Sequence, residues 1–169
     1  MRERRFGHPS GMSIDYPISL IDSETTDQVY PIVSSIIPPL SIDEWRRVCQ
    51  RSLALESLQA DDLTRETVAI ARAPNSFVRG VSIYVMRRRS PYGAILDVPV
   101  FFAASAVDAE GVAAEMLNYL WAVGRRLDIS GLRIWSNPAK FWHLRHDPAL
   151  IKRDDLGVFL PRDASEDIK

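Results

Sequence analysis

The residues most able to do chemistry gather around a glycine. In "SAVDAEGVAAEML" (Ser105–Leu117) Gly111 stands in the first turn of a long helical pattern, where glycine costs roughly 0.5–1 kcal/mol relative to alanine. A missing side chain lets a ligand reach the backbone N–H groups, and at a helix N-terminus the usual ligand is a phosphate. Two neighbouring acids oppose that use. Asp108 is a strong N-cap, worth about 1 kcal/mol over alanine, and Glu110 gains roughly 0.3–1 kcal/mol from the helix dipole. Two like charges about 4 Å apart repel by roughly 4 kcal/mol at an effective dielectric of about 20, so the acids that suit a bare helix disfavour a bound phosphate. The basic run Arg87, Arg88 and Arg89 lies at the other end of the preceding hairpin and does not offset them.

Other groups invite a chemical reading. Asp97 lies among Leu96, Val98 and Val100, where burial would raise its pKa toward a useful range. A plainer role is an ion pair with Arg79 or Arg133. His143, His146 and Asp147 are close in sequence, but no third ligand group with metal-site spacing accompanies the His-x-x-His pair, so a surface cluster is expected. In "MRRRSPYG" the three arginines read as a solvated hairpin tip, since an alternating strand sends neighbours to opposite faces. Cys49, the sole cysteine, cannot form an intrachain disulfide; within a helical pattern it reads as a small buried side chain. Trp45, Trp121, Trp135 and Trp142 each fall in a predicted element, and most are expected in the core.

These groups must be positioned by a chain of 169 residues that is 46% hydrophobic and 25% charged, a composition that suits one domain with a sizeable core. A net charge of −1 gives no global attraction to nucleic acid or an anionic membrane, so neither is expected as a partner. No apolar run reaches the roughly 20 residues needed to cross a bilayer, and the N-terminus has no apolar core of a signal peptide; a cytoplasmic protein is expected. Residues 1–13 and 164–169 read as tails around a domain spanning 14–163, with Met12 an alternative translation start.

Hydrophobic period supplies the elements. "YPISLID" reads as a short strand. A helix follows from Asp27, with Pro31 in its first turn and Val29, Ile32, Val33, Ile36 and Ile37 at helical spacing. Pro38 and Pro39 stop it, and Ser41 with Glu44 forms a capping box for a second helix reaching about Leu55. Thr67–Ala73, Phe77–Arg88 and Gly93–Ala104 alternate or run apolar, separated by the hairpin turns "APNS" and "RSPYG", and predict an antiparallel meander. The third of these strands is apolar on both faces, hence central, and Pro99 within it implies a bulge or a splayed neighbour. A helix from Asp108 to Leu127 and a strand over Gly131–Ser136 form a right-handed crossover, which makes this strand parallel to the central one. A short helix over Pro138–Leu144 and a strand over Gly157–Arg162 complete the order. The strand Phe77–Arg88, taken as an exposed edge, would allow pairing between subunits in a homodimer.

The order β-α-α-β-β-β-α-β-α-β, with a glycine opening the helix after the central strand, resembles the GNAT superfamily of acyl-CoA-dependent N-acyltransferases over roughly Ile18–Arg162. In that family the loop pattern Gln/Arg-x-x-Gly-x-Gly/Ala holds the coenzyme A pyrophosphate; "DAEGVA" matches at Gly111 and Ala113 and departs at Asp108. "SNPAKFW" matches a second family feature at Asn137 and Phe141, with Trp142 where a tyrosine usually serves as general acid. An indole N–H cannot protonate a thiolate as a phenol does, and Tyr84, Tyr92 and Tyr119 are the phenols left to replace it.

The resemblance implies an α/β (α+β) domain with a mixed, mostly antiparallel twisted sheet and helices on both faces, splayed between the strand ending near Ala104 and the strand starting near Leu132. It implies transfer of an acyl group, acetyl above all, from acyl-CoA to an amine of a small molecule or protein. Backbone amides of Phe102, Ala103 and Ala104 would polarise the thioester, Gly111, Val112 and Ala113 would meet the pyrophosphate, Asn137 and Trp142 would line the cofactor, and Asp97 would act as general base. The alternative is a non-catalytic GNAT-like binding module that has lost ordinary coenzyme A binding; Asp108 and Trp142 favour it, Gly111 and Asn137 favour the enzyme.

Overall fold

The computed structural model describes residues 15–37, 39–53, 65–104, 106, 108–135, 152–154 and 157–162. The elements are β1 (Ile18–Leu20), α1 (Thr26–Ile36), α2 (Ile42–Leu53), β2 (Thr67–Arg72), β3 (Val78–Arg89), β4 (Gly93–Ala103), α3 (Ala109–Arg126), β5 (Gly131–Trp135), β6 (Lys152–Asp154) and β7 (Gly157–Pro161). They build one seven-stranded sheet in the order β1-β2-β3-β4-β5-β7-β6. β4 and β5 are parallel, joined by the α3 crossover, and the other neighbours are antiparallel. The mixed, mostly antiparallel sheet expected from the sequence is therefore present, with β4 in its centre.

α1 and α2 bury Val29, Val33, Trp45 and Cys49 against Val68, Ile70, Val81, Ile83 and Val100 on one face. Side-chain hydrogen bonds tie this helix pair together, among them the Trp45 indole donating to the Thr26 carbonyl at 2.7 Å and the Tyr30 hydroxyl to the Leu40 carbonyl at 3.0 Å. The Ser41–Glu44 capping box forms as read, the Ser41 N–H donating to Glu44 at 2.9 Å and the Glu44 N–H to the Ser41 hydroxyl at 3.3 Å. Pro31 does not sit in the first turn. The helix starts at Thr26, so Pro31 lies inside it, exposed to solvent, where it removes one intrahelical donor.

α3 covers the opposite face. Its buried stripe, Val112, Met116, Leu117, Leu120, Trp121 and Val123, packs on Ala69, Ala71, Leu96, Val98, Leu132 and Ile134. Gly80 on β3 makes the contact possible, because a Cβ there would lie 2.1 Å from Met116 Sδ and 3.0 Å from Val112 Cγ1.

Two readings are corrected. β3 is no edge, being paired with β2 on one side and β4 on the other, so its backbone is not available for pairing between subunits. β6 was not foreseen: its three residues carry neither alternation nor an apolar run. The helix expected over Pro138–Leu144 and both tails lie outside the described residues.

Candidate active site at the divergence of two parallel strands

The central feature follows from Pro99. In the β3–β4 pairing, Ile83 faces Val100 but Val85 faces Asp97, so β4 carries an extra residue between those pairs, as a proline inside a strand implies. The β4–β5 ladder ends at the same level, its last pair being Val98 with Ile134. Beyond it β4 runs on to Ala103 beside β3, and among the described residues no strand fills the gap along its other edge. Both expected consequences of Pro99, the bulge and the splayed neighbour, occur together.

Strand alternation decides which backbone groups face the gap. The Ala104 N–H donates to the Arg79 carbonyl at 2.7 Å, so Ala104, Phe102 and Val100 aim their backbone polar groups at β3. Phe101 and Ala103, offset by one, turn theirs toward the gap. Of the three amides expected to polarise a carbonyl, Phe102 and Ala104 are thus directed at β3, and Ala103 faces the other way.

Below the gap lies a buried charge cluster. Asp97 and Arg133 are cross-strand partners in the β4–β5 ladder, 4% and 7% exposed. Arg133 donates to both carboxylate oxygens, Nε at 2.8 Å and Nη2 at 2.9 Å. The Trp135 indole donates to Asp97 Oδ1 at 2.7 Å, Arg87 Nε lies 3.1 Å from Oδ2, and the Arg133 guanidinium stacks 4.5 Å from the Trp135 ring centroid. The ion pair with Arg133 anticipated as the plainer role of Asp97 is what forms. To take a proton from a substrate, this carboxylate would have to surrender charge-assisted hydrogen bonds. The Trp135 indole was missed in the sequence, where only the parallel register would have placed it two residues above Arg133 on the same face.

The arginine run belongs to the end of β3 rather than to a turn, since Arg87, Arg88 and Arg89 pair with Ile95, Ala94 and Gly93. The tyrosines separate. Tyr84 is buried under α3, its hydroxyl 3.1 Å from that of Tyr119, and burial pushes its pKa up, which holds the phenol protonated. Tyr92 stacks on Phe159 with centroids 4.6 Å apart. Cys49 is buried, with its thiol raised to about 11 by burial. Asn137, Phe141, Trp142, His143, His146 and Asp147 lie outside the described residues. Among the described residues no group of three His, Cys, Asp or Glu is placed to hold a metal, and no helix is long and apolar enough to cross a membrane.

The head of α3 is closed by its own cap. Asp108 is the N-cap, and its Oδ1 accepts from the Gly111 N–H at 2.8 Å. A Cβ on Gly111 would meet Asp108 Oδ2 at 2.1 Å and Cγ at 2.7 Å. The glycine's missing side chain is therefore matched by the carboxylate folded over it. The Val112 N–H turns back to the Asp108 carbonyl at 3.3 Å, and Val112 and Ala113 are buried, 0% and 7% exposed. Glu110 is exposed.

No protein-family model and no curated protein sequence matches the chain. Solved structures do. A chain of the NatC complex, bound to Gag peptide and CoA, superposes with a TM-score of 0.61 at 12% identity, covering 88% of this chain and 99% of its own. A GNAT-family acetyltransferase from Staphylococcus aureus gives 0.59 at 9% identity, over 88% and 99%. A GNAT-family acetyltransferase from Brucella melitensis, in complex with acetyl-CoA, gives 0.52 at 13%, over 87% and 88%. The chain has the GNAT acetyltransferase fold.

Two of these structures hold CoA or acetyl-CoA. In this chain the Gly111 N–H, the group expected to face a pyrophosphate, is bonded to the Asp108 carboxylate.

Proposed function

We propose that the protein is an acyltransferase that moves an acyl group, acetyl above all, from a thioester donor to an amine. The observation that carries this reading is the divergence of β4 and β5 above Val98 and Ile134 in a fold shared with acetyltransferases that hold CoA or acetyl-CoA. A thioester arm laid along β4 extends the sheet by one strand's worth of hydrogen bonds, and an N–H from the same edge meets the carbonyl oxygen as negative charge develops on it. The amine nitrogen bonds to the acyl carbon, the C–S bond breaks, and the sulfur leaves with the electron pair and takes up the proton that the nitrogen loses. Asp97 is proposed as a positioning residue that pins β4 to β5 immediately below the gap, in place of the general base read from the sequence.

The Asp108–Gly111 closure favours a second reading, a GNAT-like module that binds without catalysis. Amine-dependent thiol release decides between them. Acetyl-CoA incubated with the protein and a panel of small amines and N-terminal peptides is expected to release thiol above the hydrolysis background. Donor binding by calorimetry without any release would establish the binding module, and neither binding nor release would overturn both.

A further inference from the structure

The helix pair on the other face of the sheet opens a hollow of about 240 Å³ at the end where α1 begins and α2 finishes. Arg46, Cys49, Gln50 and Leu53 recur at helical spacing along one face of α2, and Ser23, Thr26 and Asp27 meet them from the start of α1. Thr26 and Cys49 are buried and form the floor, and half-buried Leu53 is an apolar wall. None of these residues belongs to β4 or β5, and the hollow lies at the opposite end of the helix pair from the α1–α2 connection. A cavity of about 150 Å³ holds a benzene ring, so this one takes a molecule somewhat larger.

The rim carries one charge of each sign. Arg46 donates to both oxygens of Asp27, Nε at 2.9 Å and Nη2 at 2.7 Å, and the two side chains are 45% and 56% exposed. Asp43, more exposed still, stands 3.6 Å from Arg46 Nη1 and does not line the hollow. An exposed pair of this kind contributes little to stability, so its members can exchange each other for a ligand. A lone anion gains Arg46 and leaves Asp27 without its cation, and a lone cation does the reverse. A zwitterion meets both at once, its carboxylate on Arg46 and its ammonium on Asp27, and leaves no charge unpaired. The Gln50 amide and the Ser23 hydroxyl stand at the same rim as further donors and acceptors. The floor is neutral, since burial raises the Cys49 thiol to about 11 and the Thr26 hydroxyl donates to the Asp22 carbonyl at 2.9 Å. Cys49 and Leu53 then give a short aliphatic side chain its apolar contact.

We propose that this hollow binds a small aliphatic α-amino acid as a zwitterion, at a place distinct from the acyltransfer site and independently of that reading.

The test is calorimetry on the full chain with L-leucine, leucinamide and N-acetyl-leucine, read together with the side-chain amide resonances of Gln50. Leucine is expected to bind and to shift those resonances. Leucinamide lacks the carboxylate and N-acetyl-leucine the ammonium, and each is expected to bind at least about ten-fold more weakly, the value of one charge-assisted hydrogen bond. Arg46→Gln and Asp27→Asn are each expected to weaken leucine by about ten-fold as well, with thermal midpoints close to that of the natural chain because the pair is exposed. Leucine bound as tightly by both variants as by the natural chain sits elsewhere, as an amine acceptor would, and overturns the inference while the acyltransfer reading stands. Equal binding of the three compounds, or no binding of leucine at tens of millimolar, overturns it too. Failure of amine-dependent thiol release removes the acyltransfer reading and leaves the leucine measurements to decide this one.

Discussion

Arg133 reaches both oxygens of Asp97 across the parallel β4–β5 pair, at 2.8 and 2.9 Å, with each residue less than a tenth exposed. Removing one partner of a buried pair leaves the other charge uncompensated, at about 3–5 kcal/mol. Asp97→Ala is therefore expected to lower stability by about that much, measured as a shift of the urea midpoint. Asp97→Leu combined with Arg133→Met should recover most of the loss, because two apolar partners leave no buried charge orphaned, the remaining Arg87 being exposed to solvent. If Asp97 positions the strands, the pH profile of kcat keeps its acid limb in Asp97→Asn; loss of that limb would restore it as the base.

Asp108 and Gly111 should behave as a coupled pair. Asp108→Ala removes the cap and is expected to cost about 0.5–2 kcal/mol. Gly111→Ala in the natural chain gains roughly 1 kcal/mol of helix propensity and forfeits a similar amount by pushing the carboxylate away, for a net change near zero. In the Asp108→Ala background the same Gly111→Ala change should stabilise by roughly 0.5–1 kcal/mol, since the carboxylate no longer meets the added methyl. Additive effects in a double-mutant cycle of thermal or urea unfolding would show that the glycine and the carboxylate are unrelated.

Cys49 should be inert. Its side chain is 1% exposed and burial raises its thiol to about 11, so the reactive thiolate is scarce at neutral pH. Labelling by iodoacetamide at pH 8 is expected to proceed only as fast as the chain opens, and to accelerate in step with added urea. Rapid labelling of the folded protein would contradict the packing of α2 on the sheet.

Acid should loosen the start of α1. The Asp22 carboxyl is held below the ordinary 3.8, first by the Thr25 hydroxyl, against an opposing desolvation, then by the Thr25 N–H, the Arg72 guanidinium and the Glu24 N–H. The contacts are 2.7 Å to the hydroxyl, 2.8 Å to the Thr25 N–H and 3.1 Å to Arg72. Because the folded value lies below the unfolded one, the folded state binds fewer protons in between. The stabilisation is complete above the unfolded value and is lost as pH falls through the folded one. Thr25→Val is expected to flatten this part of the acid unfolding curve while leaving the neutral-pH slope unchanged. An identical acid limb in the variant would remove Thr25 from the cause.

What the sequence disclosed depended on whether the signal was local. The Ser41–Glu44 box, the α3 stripe and the meander turns depend on neighbours a few residues away, and all appear. Pro99 disclosed more, because a residue without an N–H must stand where a ladder breaks. Local signals also misled where position within a helix mattered: Pro31, expected in the first turn, is the sixth residue of α1 and lies inside it. β6 had no signal, since three polar residues become a strand only by pairing with β7. The site was legible as separate residues and not as relationships. Asp108 read as a cap and Gly111 as room for a phosphate, and only three dimensions show that the cap fills the room. Arg133 was one of two candidate partners for Asp97, and the register of a parallel pair, set by the length of the α3 crossover, chose between them.

The divergence above Val98 and Ile134 has one more consequence, for association rather than for chemistry. A run of main-chain donors and acceptors left without a neighbouring strand ordinarily invites a foreign strand and hence aggregation. Here the stretch of β4 beyond Val98, which among the described residues pairs with β3 alone, lies mid-sheet and meets β5 at Val98 and Ile134. A foreign strand pairing with that edge could therefore extend no further than this pair, which limits the contact that association could build.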